Sequence, residues 1–590
     1  MTKNIVFFAP FKFVNEHYLI ESKIMDAFLK LDHNVHVISC GGFMSKSCKA
    51  MNSVGIGLED SNISKKLICH ACKKITQETS RISNKIKIVI MDESEIFKKY
   101  SKVIDSVYHK SVNELVHFEL DGINIGKICL YNIIIRYKLN SLELNDKIVN
   151  DFKYEIKKAI IIMKYMDDFL DENKTDEVFF YNGLYPENAV VKLLADKRSI
   201  KVRSIQNENT DLTKNKFIRV SDDPAERVNP NYTHGWNRNS HYLKTSNEID
   251  NVINHFYRLR NSKSDFIYSV SLKESNKNSI LKKYWNTNKK VVFIPLSSMD
   301  EINAVYLLDD KKSLNYKDQL EFLDQILEIA AMHQEILFII RPHPREFPNK
   351  REKAISKNLP KLLQRLENTN HNVMVNTPED NISIYEIAQF TDLTINYASS
   401  VGMEMCALGI NVLTVEPELN SAFPLDLSLT IKDKVDLEKN FEYYLSANLT
   451  KDNIENTLSW IDYLLHDFNI TLLTSKEASS NILNLNQNLS YLLYRWIKKI
   501  QILKIFAITY ILPKRYVSDY KNFMLNESEF QRMIKNQPNQ QVLDLQGVDK
   551  VLRLNLLRTY LEQLIKEFKR QFGQDTKLTK RLVNLYSEIK

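Results

Sequence analysis

"KDQLEFLDQILEIAAMHQEILFIIRPHP", residues 317–344, decides the fold: "KDQLEFLDQILEIAAMH" reads as a helix and "EILFII" as a strand behind it. A strand, "KKVVFIPLS", precedes the helix, so the three together form a βαβ unit, which implies a parallel sheet. The alternation continues with "HNVMVN" as strand, "SIYEIAQF" as helix, "LTINYA" as strand, "VGMEMCAL" as helix and "INVLTVEP" as strand. Residues 280–480 are therefore expected to be a doubly wound, Rossmann-like unit.

The first half opens in the same way, with "NIVFFAP" as strand, "LIESKIMDAFLKLD" as helix and "NVHVISC" as strand. The pattern returns at "EVFFYNG", "PENAVVKLLADKRS" and "IKVRSIQNEN". Residues 1–265 are expected to be a second Rossmann-like domain, interrupted by a helical insertion over about 95–172. The fold class predicted is α/β with two Rossmann-like doubly wound domains, the helical insertion and a helical basic tail over 485–590.

That tail differs in charge from the rest. The chain has 590 residues and a net charge of +8, but residues 491–590 hold 19 Lys and Arg against 9 Asp and Glu, leaving the body near neutral. A basic end on a neutral body argues against a nucleic-acid binder and for contact with an anionic surface, such as a membrane. "YLLYRWIKKIQILKIFAITYILPKRY" is apolar on nearly every face if helical, and Val548, Val551, Leu552, Leu557, Leu561, Leu564, Ile565 and Phe568 keep a helical spacing that gives one apolar docking face. No stretch has the roughly 18 consecutive apolar residues of a membrane span, and the start lacks signal-peptide features, so a cytoplasmic protein, peripherally held at the inner face of the membrane, is expected.

Chemistry is expected at strand ends, because ligands of open α/β sheets sit beyond the carboxyl ends of the strands. At one such end, prolines 342 and 344 hold His343 on a stiff extended turn, with Arg341 and Arg345 beside it as planar donor forks suited to phosphate. His343 can give a hydrogen bond or a proton to a phosphate oxygen. At another, "NYASSVGMEMCALG" carries a strand through Ser399 and Ser400 into a helix, an arrangement that presents free amides and hydroxyls to an anion. The chain has only 12 glycines, and Gly402 falls in the first turn of that helix, where a missing side chain lets a ligand approach. Glu404 on the helix and Glu416 in "TVEP", placed to accept from a ribose hydroxyl, complete the donor-binding candidates. Both turns also have bland explanations: a solvated basic loop and an ordinary Ser cap.

"RPHP" followed by "SSVGMEMCALGINVL" resembles the nucleotide-binding half of bacterial surface-polysaccharide glycosyltransferases of the two-Rossmann (GT-B) fold, among them capsule-assembly enzymes, Kdo transferases and bacterial sialyltransferases. The resemblance spans roughly residues 1–480 and is specific only in these two motifs. It implies donor-phosphate contacts for His343, Ser399 and Ser400, and a catalytic base at an acidic motif of the Glu-Asp-Gly type in the N-terminal domain. The corresponding strand end here is "SIQNENTD", so Glu208 would be the base, with Asp211 behind it; Asn207 and Asn209 depart from the motif.

The expected function is thus metal-independent transfer of a sugar from a nucleotide-sugar donor to a capsular or other surface polysaccharide, or its lipid-linked primer, with no cofactor. By resemblance a CMP-linked acid sugar is favoured over UDP and GDP donors. Alternatives are a nucleotide-sugar 2-epimerase, a teichoic-type polyol-phosphate polymerase and a non-catalytic membrane scaffold. Cys40, Cys48, Cys69 and Cys72, with His70 inside the last pair, are either free thiols or a structural zinc site; Cys129 and Cys406 are expected in packing.

Overall fold

The computed structural model describes residues 2–589, apart from 209–215, 222–244, 262–269, 276–288, 307–313, 349–354, 475–500, 535–549 and a few shorter stretches. It divides into two compact units, the first made of Met1–Ile133, Leu142–Ala225 and Phe468–Gln537, the second of Ile134–Ser141, Glu226–Asp467 and Pro538–Lys590.

The first unit begins with β1 (Asn4–Phe8), β2 (Asn34–Ser39) and β3 (Lys87–Ile90). A two-residue hairpin, β4 (Glu119–Leu120) with β5 (Ile123–Asn124), follows, then β6 (Glu177–Tyr181), β7 (Lys201–Glu208) and β8 (Lys216–Ser221). In space the parallel strands run β3-β2-β1-β6-β7, the Rossmann arrangement of two windings outward from a central first strand. The core forms where Phe7 stacks on Phe179 at 4.9 Å, with Phe28 edge-on to Phe179, from the helix Asn15–Lys30. Between β3 and β6 the chain is mostly helical, through Glu93–Ser106, Ile125–Tyr137 and Asp146–Glu172.

The second unit holds β9 (Val291–Pro295), β10 (Leu337–Arg341), β11 (Val373–Val375), β12 (Leu393–Asn396), β13 (Asn411–Thr414) and β14 (Leu429–Thr430). Their spatial order, β11-β10-β9-β12-β13-β14, is the 3-2-1-4-5-6 order of a Rossmann sheet, and every pairing is parallel. β9, β10, β12 and β13 are buried throughout, which is why they read as continuous apolar runs rather than alternating ones. The helix Gln319–Met332 starts at Asp318, whose carboxylate accepts from the amides of Leu320 and Glu321 at 2.9 Å each.

The chain then returns to the first sheet with β15 (Asn469–Thr474) and β16 (Phe523–Leu525), both antiparallel to their neighbours beyond β8. The described helices of residues 485–590 do not stand off as a separate tail. The helix Gln501–Asn522 packs in the first unit, where Tyr516 is buried and donates to Ser22 Oγ at 2.9 Å. The helix Lys550–Phe572 packs in the second, burying Leu557, Leu561, Leu564 and Phe568, while Leu552 stays exposed. A segment with so many large apolar side chains loses too much by remaining in water. Val548 and residues 475–500 lie outside the described residues. Among the described residues, no helix is long and apolar enough to cross a membrane.

Candidate functional site

The His343 turn follows β10 and the Ser399–Ser400 turn follows β12, so both stand at the carboxyl end of one sheet, with β9 between their strands. At about 4.8 Å per strand spacing, the two strand ends are roughly 10 Å apart. In sequence the intervening strand is β11; winding exchanges it for β9, whose end is the point at which strand order reverses.

His343 is in extended conformation (φ −64°, ψ 132°) and partly exposed, and its Nδ1 accepts from the amide of Arg345 at 3.2 Å. That bond fixes the neutral tautomer with its proton on Nε2. Loss of solvation, reinforced by the charges of Arg345, Arg341 and Lys138, pushes the imidazole down to about 3. At neutral pH His343 is therefore a hydrogen-bond donor through Nε2, not an imidazolium acid.

The two arginines are not open forks. Arg341, 5% exposed, donates through Nη1 to Asn376 Oδ1 and to the carbonyl of Ile382 at 2.8 Å, tying β10 to the loop after β11. Arg345 is buried and paired with Asp300 at 2.9 Å and with Glu301. A guanidinium withdrawn from water must find its acceptors inside the protein, and these two have. Lys138 Nζ donates to the Arg345 carbonyl at 2.5 Å and is likewise buried.

At the second turn Ser399 Oγ accepts from the amide of Val401 at 3.3 Å, while the Ser399 amide donates to Asn396 Oδ1 at 3.0 Å. Ser399 is thus engaged in starting the seven-residue helix Val401–Ala407. Ser400 is exposed and makes no side-chain cap bond. Gly402 does not open the backbone to a ligand: a Cβ there would lie 2.8 Å from the Phe423 ring and from Asn396 Nδ2, so the glycine makes room for Phe423. Glu404 is partly exposed and already engaged: Tyr385 Oη donates to it, and loss of solvation lifts it to about 7. Glu416, 1% exposed, accepts from the amides of Tyr316 at 2.7 Å and Asn315 at 3.2 Å; it clamps the segment before the Gln319 helix rather than waiting for a ribose.

Sequence inspection passed over the end of β9. There Ser298 Oγ donates to Asp300 Oδ1 at 2.5 Å, the Met299 amide donates to Glu346 at 3.1 Å, and buried Ser297 Oγ has no partner among the described residues. The signal was present in "PLSS": the strand that opens a doubly wound unit also ends at its switch point.

In the first unit Glu208 is the last residue of β7, in register with Phe217 of β8; Asp211 lies outside the described residues. Unpredicted titratable groups follow β1. Buried Lys12, lowered to about 7, and buried Glu21, raised to about 8, owe their shifts to burial and attract one another. His17 stacks on Tyr181 at 3.6 Å and is pushed by burial to about 3. Cys40, Cys48, Cys69 and Cys72 line one cavity of about 50 Å³ with Lys12. Burial raises all four thiols, Cys40 and Cys69 to about 11 and Cys48 to about 12, and among the described residues no group of three such side chains is arranged to hold a metal ion.

No family model matches the sequence, and no curated protein does. Similar solved structures include the beta Kdo 2,4 transferase KpsC of Thermosulfurimonas dismutans, at 12% identity and a TM-score of 0.32 over 52% of this chain and 83% of that one. A UDP-GlcNAc 2-epimerase of Methanocaldococcus jannaschii is 13% identical, with a TM-score of 0.27 over 79% and 99%. The glycosyltransferase SnogD of Streptomyces nogalater is 9% identical, with a TM-score of 0.22 over 82% and 99%. These similarities are too slight to identify the chain; its two Rossmann-like units stand on their own strand orders.

Proposed function

We propose that the chain is a glycosyltransferase of the GT-B plan that moves a sugar from a nucleotide donor to a bacterial surface polysaccharide or its lipid-linked primer. The observation that carries this is the placement of the His343 and Ser399–Ser400 turns at the carboxyl end of one Rossmann sheet, flanking β9. In this mechanism neutral His343 donates its Nε2 proton in a hydrogen bond to a donor phosphate oxygen, and the exposed Ser400 hydroxyl offers a second donor. Arg341, Arg345 and Lys138 act at one remove: paired as they are, they orient the turn and hold a positive field around it. Charge gathering on the departing nucleotide is stabilised by donors already in place, and no metal or cofactor is assigned. Glu208 is the proposed base toward the acceptor hydroxyl, with Asp211 the other choice. Exposed Lys514 and Arg515, on the helix Gln501–Asn522, are the proposed contacts of the 491–590 region with an anionic membrane.

A thermal-shift series with CMP, UDP and GDP tests the donor site. Stabilisation of the native protein by one nucleotide, absent in His343→Ala, is the expected outcome; equal stabilisation of both proteins rejects the site. Incubating the nucleotide sugar without acceptor separates transfer from epimerisation, because a 2-epimerase converts its substrate alone.

A further inference from the structure

At the starting edge of the second sheet stands a group of cations that the proposed chemistry does not use. Lys290 and Asp392 immediately precede the parallel strands β9 and β12, and the helix Lys577–Glu588 begins beside them. That helix is anchored there: Thr576 Oγ1 donates to Gln389 Oε1 at 2.7 Å, and the Leu578 amide to the Gln389 carbonyl at 3.2 Å. Asp392, 5% exposed, accepts through one oxygen from the Val291 amide at 2.8 Å and from Lys577 Nζ. Lys290 Nζ lies 3.8 Å and Arg581 Nη2 3.6 Å from the other oxygen.

Three positive charges thus meet one negative. Among the described residues no second carboxylate is within ion-pairing distance of any of the three, and Asp575, ahead of the helix, is paired with Lys569 at 2.9 Å. One cation balances a buried carboxylate, so two charges are in surplus. They are held in place: Lys577 Nζ donates to the Lys289 carbonyl at 3.4 Å and Arg581 Nη1 to that of Thr391 at 3.3 Å, and both heads keep donors over. Burial pushes the Lys577 amine down, and the charges of Lys290 and Arg581 push it further against the pull of Asp392. Solvent reaches all three, and exposed Lys580, one turn along the helix from Lys577, extends the positive surface.

A surplus of two calls for a ligand of matching charge. A phosphate monoester carries about −1.5 to −2 at pH 7, and a guanidinium fork suits its oxygens, whereas a carboxylate would leave one charge unmatched. We propose that this edge binds a phosphate monoester, on a soluble molecule or on a lipid headgroup, with Lys290, Lys577 and Arg581 as its donors. In a parallel sheet the strand starts share one edge, opposite the carboxyl end where the His343 and Ser399–Ser400 turns stand, so this site is distinct from theirs. It stands whether or not the protein transfers sugars.

The test is calorimetry on the full chain with glycerol 3-phosphate at constant ionic strength, and flotation with phosphatidylcholine vesicles with and without phosphatidic acid. At least one of the two monoesters should bind. Lys290→Glu, a change at an exposed position that supplies an internal carboxylate, should weaken that binding about tenfold or more, and Arg581→Gln should weaken it in the same direction. Lys290→Arg, which keeps the charge, should bind as the native protein does. Binding of glycerol 3-phosphate without the vesicles assigns the site to soluble monoesters, and binding of the vesicles alone to a headgroup. Failure of both probes, equal binding by native protein and Lys290→Glu, or displacement by chloride at matched ionic strength would each overturn the proposal. So would loss of the binding in His343→Ala, which would put the anion at the other end of the sheet. A nucleotide series that fails on the native protein removes the transferase assignment and leaves this site intact.

Discussion

His343 shows how a residue's chemistry is set by what surrounds it. Its Nδ1 is taken by a backbone amide and its neighbours are positive, so the ring stays neutral far below the ordinary imidazole range. The unfolded chain takes up this proton near pH 6.5 and the folded one only near 3, so stability falls as pH drops through that window. His343→Gln should flatten that part of the acid-unfolding profile, as followed by circular dichroism, and should abolish the nucleotide-induced thermal shift. Glu404 has the opposite sign: folding raises its carboxyl from 4.5 to about 7, so stability is lost as pH rises between those values. Glu404→Gln keeps an acceptor for Tyr385 and should melt higher than the native protein at about pH 8 but not at about pH 5. For Arg345 the expected loss is in folding, not in ligand affinity. Arg345→Ala leaves Asp300 buried without its partner and should cost about 3–5 kcal/mol by urea titration.

At the scale of elements, the strand-to-helix turns are tied by side chains that the sequence suggests for ligands. Ser399 starts the Val401 helix, Glu416 clamps the segment ahead of the Gln319 helix, and Gly402 admits Phe423. Gly402→Ala should therefore cost about 1–3 kcal/mol through overpacking against that ring, read as a lower urea midpoint. If Gly402 instead served a ligand, the variant would keep its stability and lose only nucleotide binding. Positions of the turns were legible because helices and strands advertise themselves by apolar period and the turns fall between them. The bonds made at those turns were not legible: Arg341 meets Asn376 and Ile382, partners 35 and 41 positions away, whose nearness exists only after β11 is laid beside β10.

For the whole molecule, the C-terminal region is where charge counting and packing part company. A surplus of basic residues suggested an appended tail, whereas Tyr516 and Phe523 are buried in the first unit, and Leu561 and Phe568 in the second. Truncation at residue 491 should therefore yield insoluble protein, so membrane contact has to be probed by point changes. Lys514→Glu with Arg515→Glu should reduce sedimentation with phosphatidylserine vesicles at low salt while leaving the melting temperature unchanged; unchanged sedimentation would remove the proposed membrane contact.

The sequence by itself determined two series of β–α alternation and the positions of the strand-to-helix turns between them, because those follow from local apolar period and from proline and glycine chemistry. Only tertiary structure decided that β9 stands between the His343 and Ser399 turns, that the arginines and glutamates there are mostly spent on the protein itself, and that the last hundred residues are divided between the two units. The physical reason is that burial and pairing belong to neighbours distant in the chain, which composition and spacing do not record.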